Sequence, residues 1–300
     1  MTPLCLTALL AVGTGPLPAP QPAPPPADYT PLCAIPLHPR PVKPTPLFDK
    51  AERDFPPRTP LAIDGAVPPP PGSFLWQPRY CIDWELVGPA RPYCPQPGDI
   101  VLSTDGSKFW KLMHNLAGTS HPTHSMVVFA RPDGTMGILE GGPHDTLHCR
   151  ALDALPHLFS YEAEGRVWVR RRAVPLTPEQ CAQLTEFALS TDGKRFGLGR
   201  LGLQLTVFRT RGPVRTAFVG RPHGVERESY FCSEMVVEAL VYAGLVDGRT
   251  ARPSATYPRD LFFDASLNPY LNRHLKLYPD WDPPARWTSS PVPETGCGKP

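Results

Sequence analysis

The stretch Ser229-Tyr-Phe-Cys-Ser-Glu-Met-Val-Val-Glu-Ala-Leu-Val-Tyr-Ala-Gly244 decides how the chain is read. Met235, Val236, Ala239, Leu240 and Ala243 recur at helical spacing and Gly244 is a natural stop, which predicts a core-facing helix starting near Cys232. The first amides of a helix have no acceptor within it, and the macrodipole is positive there. Both favour a thiolate, the nucleophilic form of cysteine. On its own, a lone cysteine in such a helix reads better as a small buried residue. A second stretch, a hundred residues earlier, changes that balance.

That stretch is Pro97-Gly-Asp-Ile-Val-Leu-Ser103, followed after a gap by His124-Ser-Met-Val-Val-Phe129 and Met136-Gly-Ile-Leu-Glu140. Between the last two, Pro132-Asp133-Gly134 suits a three-residue hairpin loop with Gly in the left-handed bulge position. The register follows. If Arg131 faces Thr135, Met126 faces Glu140 and His124 faces Gly142, so His124, Met126 and Glu140 share one face. His124 and Glu140 are then diagonal neighbours at roughly 7–8 Å between backbones, within reach of a carboxylate–imidazole bond. A cysteine at a helix start, a histidine on a strand and a carboxylate to orient it form a nucleophile, base and orienter.

Gly98-Asp99-Ile-Val-Leu, His124 entering a strand, Ile138-Leu-Glu140 and Tyr230-Phe-Cys232-Ser-Glu-Met-Val together resemble the permuted papain-like amidases of the YiiX/YaeF type. These are circularly permuted relatives of the NlpC-type cell-wall peptidases. The resemblance covers about residues 95–265 and rests on short motifs in combination. It implies an α+β fold, circularly permuted papain-like, with an antiparallel sheet packed against helices. It also implies that the histidine precedes the cysteine, with a polar residue on the next strand completing the triad. The matching positions are His124, Glu140 and Cys232. Phe196-Gly197 resembles the turn that precedes the cysteine helix in such proteins.

The remainder frames this domain. The 300 residues carry a net charge of +2 and no basic tail, which excludes bulk attraction to nucleic acid. Proline is the outlier, 43 residues, and points to long irregular segments. Residues 1–20 read as an atypical signal peptide without a positive start: the apolar run Leu4–Val12 has the length of a signal core and is too short to span a bilayer. Residues 21–73 read as a proline-rich spacer, 74–94 as an aromatic and cysteine-bearing segment packing on the domain, 95–265 as the hydrolase domain and 266–300 as an irregular proline-rich tail. Asp105–Gly118 predicts a helix through Phe109, Leu112, Met113 and Leu116, and Thr177-Pro178-Glu179-Gln180 predicts a capped helix start. Arg170-Arg-Arg172 reads as a solvated strand end.

His121, His124, His144, His148 and Cys149 raise a metal reading, but their spacing matches no standard zinc pattern, and no metal is assigned. Setting aside Cys5 and Cys232 leaves Cys33, Cys81, Cys94, Cys149, Cys181 and Cys297, an even set compatible with disulfides and an extracytoplasmic location. Residues 194–225 hold seven basic residues and no acidic one, suited either to an anionic substrate or to a plain soluble insertion.

The expected chemistry is thiol hydrolysis of an amide through an acyl-thioester, without a cofactor. Cys232 is the nucleophile, His124 the general base and then acid, Glu140 the orienter, and the Cys232 amide the oxyanion donor. Expected partners are a peptide, a peptidoglycan fragment or an acyl-lipid substrate, with no nucleic acid and no stable membrane span; oligomeric state is not legible. Peptidoglycan stem peptides lead as substrates. Two alternatives stand beside them: an acyltransferase, thioesterase or lipase-like enzyme acting on lipid acyl groups, and a non-catalytic domain binding wall polymer or lipid.

Overall fold

The alternation in His124–Ala130 and Met136–Gly141 produces the expected hairpin. Met126 pairs with Glu140, Ala130 with Met136, and Arg131 donates its N–H to Thr135 O. The computed structural model describes residues 72–82, 86–104, 121–142, 147–204, 206, 208–212 and 214–292. The expected signal peptide, all but the end of the spacer, and the helix expected over Asp105–Gly118 lie outside them.

Among the described residues the strands are β1 (Phe74–Leu75), β2 (Arg91–Pro92), β3 (Ile100–Thr104), β4 (His124–Ala130), β5 (Met136–Gly141), β6 (Cys149–Asp153), β7 (Arg166–Arg170), β8 (Arg195–Phe196), β9 (Ser229–Tyr230) and β10 (Ala285–Thr288). The helices are α1 (Ala154–Glu164), α2 (Pro178–Thr191), α3 (Leu198–Leu203), α4 (Arg215–Phe218), α5 (Cys232–Tyr242), α6 (Pro258–Phe263) and α7 (Pro269–His274). Eight strands form one antiparallel sheet in the order β2-β1-β10-β7-β3-β4-β5-β6, and β8 and β9 pair in parallel beside it. The architecture is α+β with a mostly antiparallel sheet.

Period two along the strands sends side chains to opposite faces, and both faces are covered. Ile100, Leu102, Val127, Phe129 and Leu139 pack with Leu184 and Phe187 of α2 and with Met235, Val236, Ala239 and Leu240 of α5. Val101, Met126, Val128, Ile138 and Val169 pack with Ala154, Leu158 and Tyr161 of α1. Thr177 caps α2 in the expected way: its hydroxyl accepts from Gln180 N, and Gln180 Oε1 accepts from Thr177 N.

Three expectations are corrected. The tail 266–300 is not wholly irregular, because β10 pairs with β7 on one side and β1 on the other, and Trp281 and Trp287 are buried. Flanking prolines hid a four-residue strand whose pairing is entirely tertiary. The domain therefore extends beyond 95–265 at both ends, and β1 and β2 from the aromatic segment belong to its sheet. Arg170 and Arg172 are buried rather than solvated: Arg170 donates to Asp282 O at 2.9 Å and Leu261 O at 2.8 Å, and Arg172 lies 4.1 Å above the Trp281 ring. Of the six remaining cysteines, Cys33 and Cys297 lie outside the described residues. Cys181 is disulfide-bonded, but Cys94 and Cys149 are free thiols, and burial pushes the Cys149 thiol up to about 12.

Candidate active site

Cys232 is the first residue of α5, and Phe231 before it is extended. Residues 232–240 are all buried, which makes α5 the central helix of its layer, and Cys232 is 7 % exposed. Gly141, one residue beyond Glu140, faces the Cys232 backbone; a Cβ there would lie 3.5 Å from Cys232 N. Gly142 next to it adopts φ +79°, with the Phe196 ring 3.1 Å from where a Cβ would sit. A side chain at Gly142 would meet both a left-handed backbone and that ring. The end of β5 and the start of α5 are thus held in direct contact.

His124 opens β4 and closes on both partners. Its Nε2 lies 2.6 Å from Glu140 Oε1, out of line for a good hydrogen bond, so the contact is chiefly an ion pair. Its imidazole also contacts the Cys232 thiol group. With Nε2 on the carboxylate, Nδ1 is the nitrogen left to serve the sulfur. The structure therefore brings His124, Glu140 and Cys232 together, two from neighbouring strands and one from a helix a hundred residues later.

The electrostatics are those of a charged pair. Burial pulls the His124 pKa down, but Glu140 and the contact with Cys232 overcome it and hold the imidazolium to about 10. Burial likewise opposes ionisation of Glu140, yet His124 and His157 bring its carboxyl to about 2. An ionised carboxylate only accepts. His157 Nε2 donates to Glu140 Oε2 and the Tyr161 hydroxyl to Oε1, both from one face of α1, and the Tyr161 ring stacks on His124 at 5.8 Å with 12° between planes.

His157 and Tyr161 were missed by reading the sequence for the triad alone. Their i, i+4 spacing in Ala154–Glu164 was the available signal. Also missed were Glu234 and Glu238, buried on α5. Glu234 takes Arg200 at 2.7 Å and Arg227 at 2.5 Å, and Glu238 accepts from His223 N and Gly224 N. Burial pushes the Glu234 carboxyl up to about 7 against those two guanidinia. Asp99, part of the motif that suggested the family, sits away from the triad. Its carboxylate accepts from Tyr93 Oη, Gln96 N and Arg172 N at 2.8, 3.0 and 2.6 Å, tying the start of β3 to the end of β7.

Comparison with known proteins adds little to this geometry. No family model and no curated protein matches the chain. Among solved structures there is a limited likeness to one described as metalloprotein YiiX from Escherichia coli O157:H7. It has 18% identity and a TM-score of 0.34 over 50% of this chain and 67% of that one.

Proposed function

We propose that the protein is a thiol hydrolase of the permuted papain-like, NlpC-related type that cleaves amide bonds through an acyl-thioester on Cys232. The observation that supports it is the convergence of Cys232, at a helix start, with His124 and a buried, ionised Glu140. Because His124 holds its proton up to about 10, it stands beside the sulfur as a cation at neutral pH rather than as an empty base. Attack begins from the deprotonated Cys232 sulfur, with the His124 imidazolium beside it. Sulfur bonds to the carbonyl carbon, and the oxyanion takes the Cys232 N–H. Collapse breaks the C–N bond, and the proton on His124 goes to the departing amine. The imidazole, now neutral, takes a proton from water, whose oxygen displaces the thiolate from the thioester.

Peptidoglycan stem peptides in an extracytoplasmic setting are the substrate class the motifs favour. A second reading, hydrolysis or transfer of lipid acyl groups, is favoured by exposed apolar residues on the segment that precedes α5. The test is intact-protein mass spectrometry during turnover of a panel of stem peptides and acyl esters. The proposal predicts an acyl adduct on the Cys232 peptide, absent with Cys232→Ala, and the substrate class that yields it decides between the two readings. Turnover that survives Cys232→Ala would overturn it, and no turnover of either class would leave a binding domain.

A further inference from the structure

The segment between β8 and β9 is built inside out. Several of its uncharged polar side chains are buried. Gln204 and Thr216 are almost fully enclosed, and the Thr210 hydroxyl sits between Gln204 and Ser254 O. Arg252 donates to the carbonyls of Thr216 and Ala217, Asn268 Nδ2 donates to Thr216 Oγ1, and Arg211 forks onto Asp260 at 2.5 and 2.9 Å. Apart from the Gln204–Thr210 contact, these anchors lead inward to residues 252–268. The apolar side chains point the other way: Phe208 is 63% exposed, Val214 69% and Phe218 74%, with Leu198 and Leu203 about half exposed.

Ordinary folding does the reverse, and a cluster of exposed large apolar side chains on one wound segment marks a surface that something apolar covers. The charges say what kind. Of the basic residues over 194–225, Arg200 and Arg211 are committed to Glu234 and Asp260, whereas Arg209, Arg215 and Arg221 are exposed among the apolar residues, with no acidic residue in that span. Apolar side chains ringed by arginine suit a bilayer interface with anionic headgroups: the former enter the acyl boundary and the latter stay at the phosphates. No helix among the described residues is long and apolar enough to cross a membrane, so attachment here lies in the interface plane.

We propose that the described residues between 198 and 221 present a docking surface that seats the protein on an anionic lipid bilayer. The segment is fastened to the Cys232 helix itself, since Gly197 N donates to Tyr230 O and Arg200 bridges Ser229 O and Glu234. Docking would therefore place the start of α5 close to the membrane surface, whichever amide or ester Cys232 attacks.

The test is cosedimentation of the full chain with vesicles of phosphatidylcholine alone or mixed with phosphatidylglycerol, at low and near-physiological salt, with Cys232→Ala as a catalytically silent control. Binding is expected only to the anionic vesicles, weaker with salt, and unchanged in Cys232→Ala, which separates docking from catalysis. Phe208→Ser with Phe218→Ser should reduce partitioning by about tenfold or more. Arg209→Gln, Arg215→Gln and Arg221→Gln should each reduce it by about fivefold. Thermal melting confirms that these surface variants fold. Absence of binding, binding insensitive to both sets of variants, or loss of self-association without lipid in the Phe208→Ser, Phe218→Ser protein would overturn the proposal, the last by showing that a second copy covers the surface.

Discussion

Glu140 is fully buried and carries three contacts at once, from His124, His157 and Tyr161, and this sharing governs how the site answers pH. The His124 pKa is raised from 6.5 to about 10, so its contribution to stability is complete below about 6.5 and is lost as pH rises through about 10. The Glu140 pKa is lowered from 4.5 to about 2, so its contribution is complete above about 4.5 and is lost as pH falls through about 2. The pair therefore stabilises the fold most between those two ordinary values. Urea unfolding at about pH 6 and about pH 9 should show that Glu140→Gln loses less stability over that interval than wild type does. Parallel losses would show that the pair does not set the slope. His157→Ala should cost about 1–3 kcal/mol in the same assay, because it withdraws a donor from a buried carboxylate. At this scale the hairpin register made His124 and Glu140 legible as neighbours. His157 and Tyr161 were not, because their role depends on how α1 lies across the sheet, which no local pattern encodes.

Among the elements, α5 does the most. It is buried along nine consecutive residues, presents Cys232 at its start, and uses Glu234 and Glu238 one turn apart to hold the chain that precedes it. Removing one partner from a buried ion pair leaves the others uncompensated. Glu234→Ala, which removes the buried carboxylate that Arg200 and Arg227 share, should therefore cost about 3–5 kcal/mol in denaturant unfolding. Limited proteolysis should then cut within 197–214 faster than in wild type; an unchanged cleavage rate would show that Glu234 does not anchor that segment. The helix itself was plain from Met235, Val236, Ala239 and Leu240. The burial of the two glutamates was not, since Glu234 is held by arginines 34 and 7 residues away and Glu238 by the amides of His223 and Gly224.

For the whole molecule, the sheet is completed by strands drawn from both ends of the described chain, with β10 seated between β1 and β7. Trp287 on β10 is fully enclosed, its indole N–H donating to Ser73 Oγ at 3.0 Å. Trp287→Ala should cost about 3–5 kcal/mol, read from chemical denaturation, and a loss well under 1 kcal/mol would show that β10 is dispensable. The α+β class was what the family resemblance implied, whereas the central hairpin and the helix that starts at Cys232 were readable because they follow from local alternation, turn chemistry and helical spacing. The outer strands were not, because two to four residues between prolines carry no periodicity of their own. The central claim is that Cys232 and His124 act as one unit, and it is tested most directly by the rate of Cys232 alkylation by iodoacetamide near neutral pH. Wild type is compared with His124→Ala, and peptide mapping separates Cys232 from the other thiols. The account predicts rapid labelling of Cys232 in wild type and a loss of about tenfold or more in the variant. Equal rates in the two proteins would contradict it.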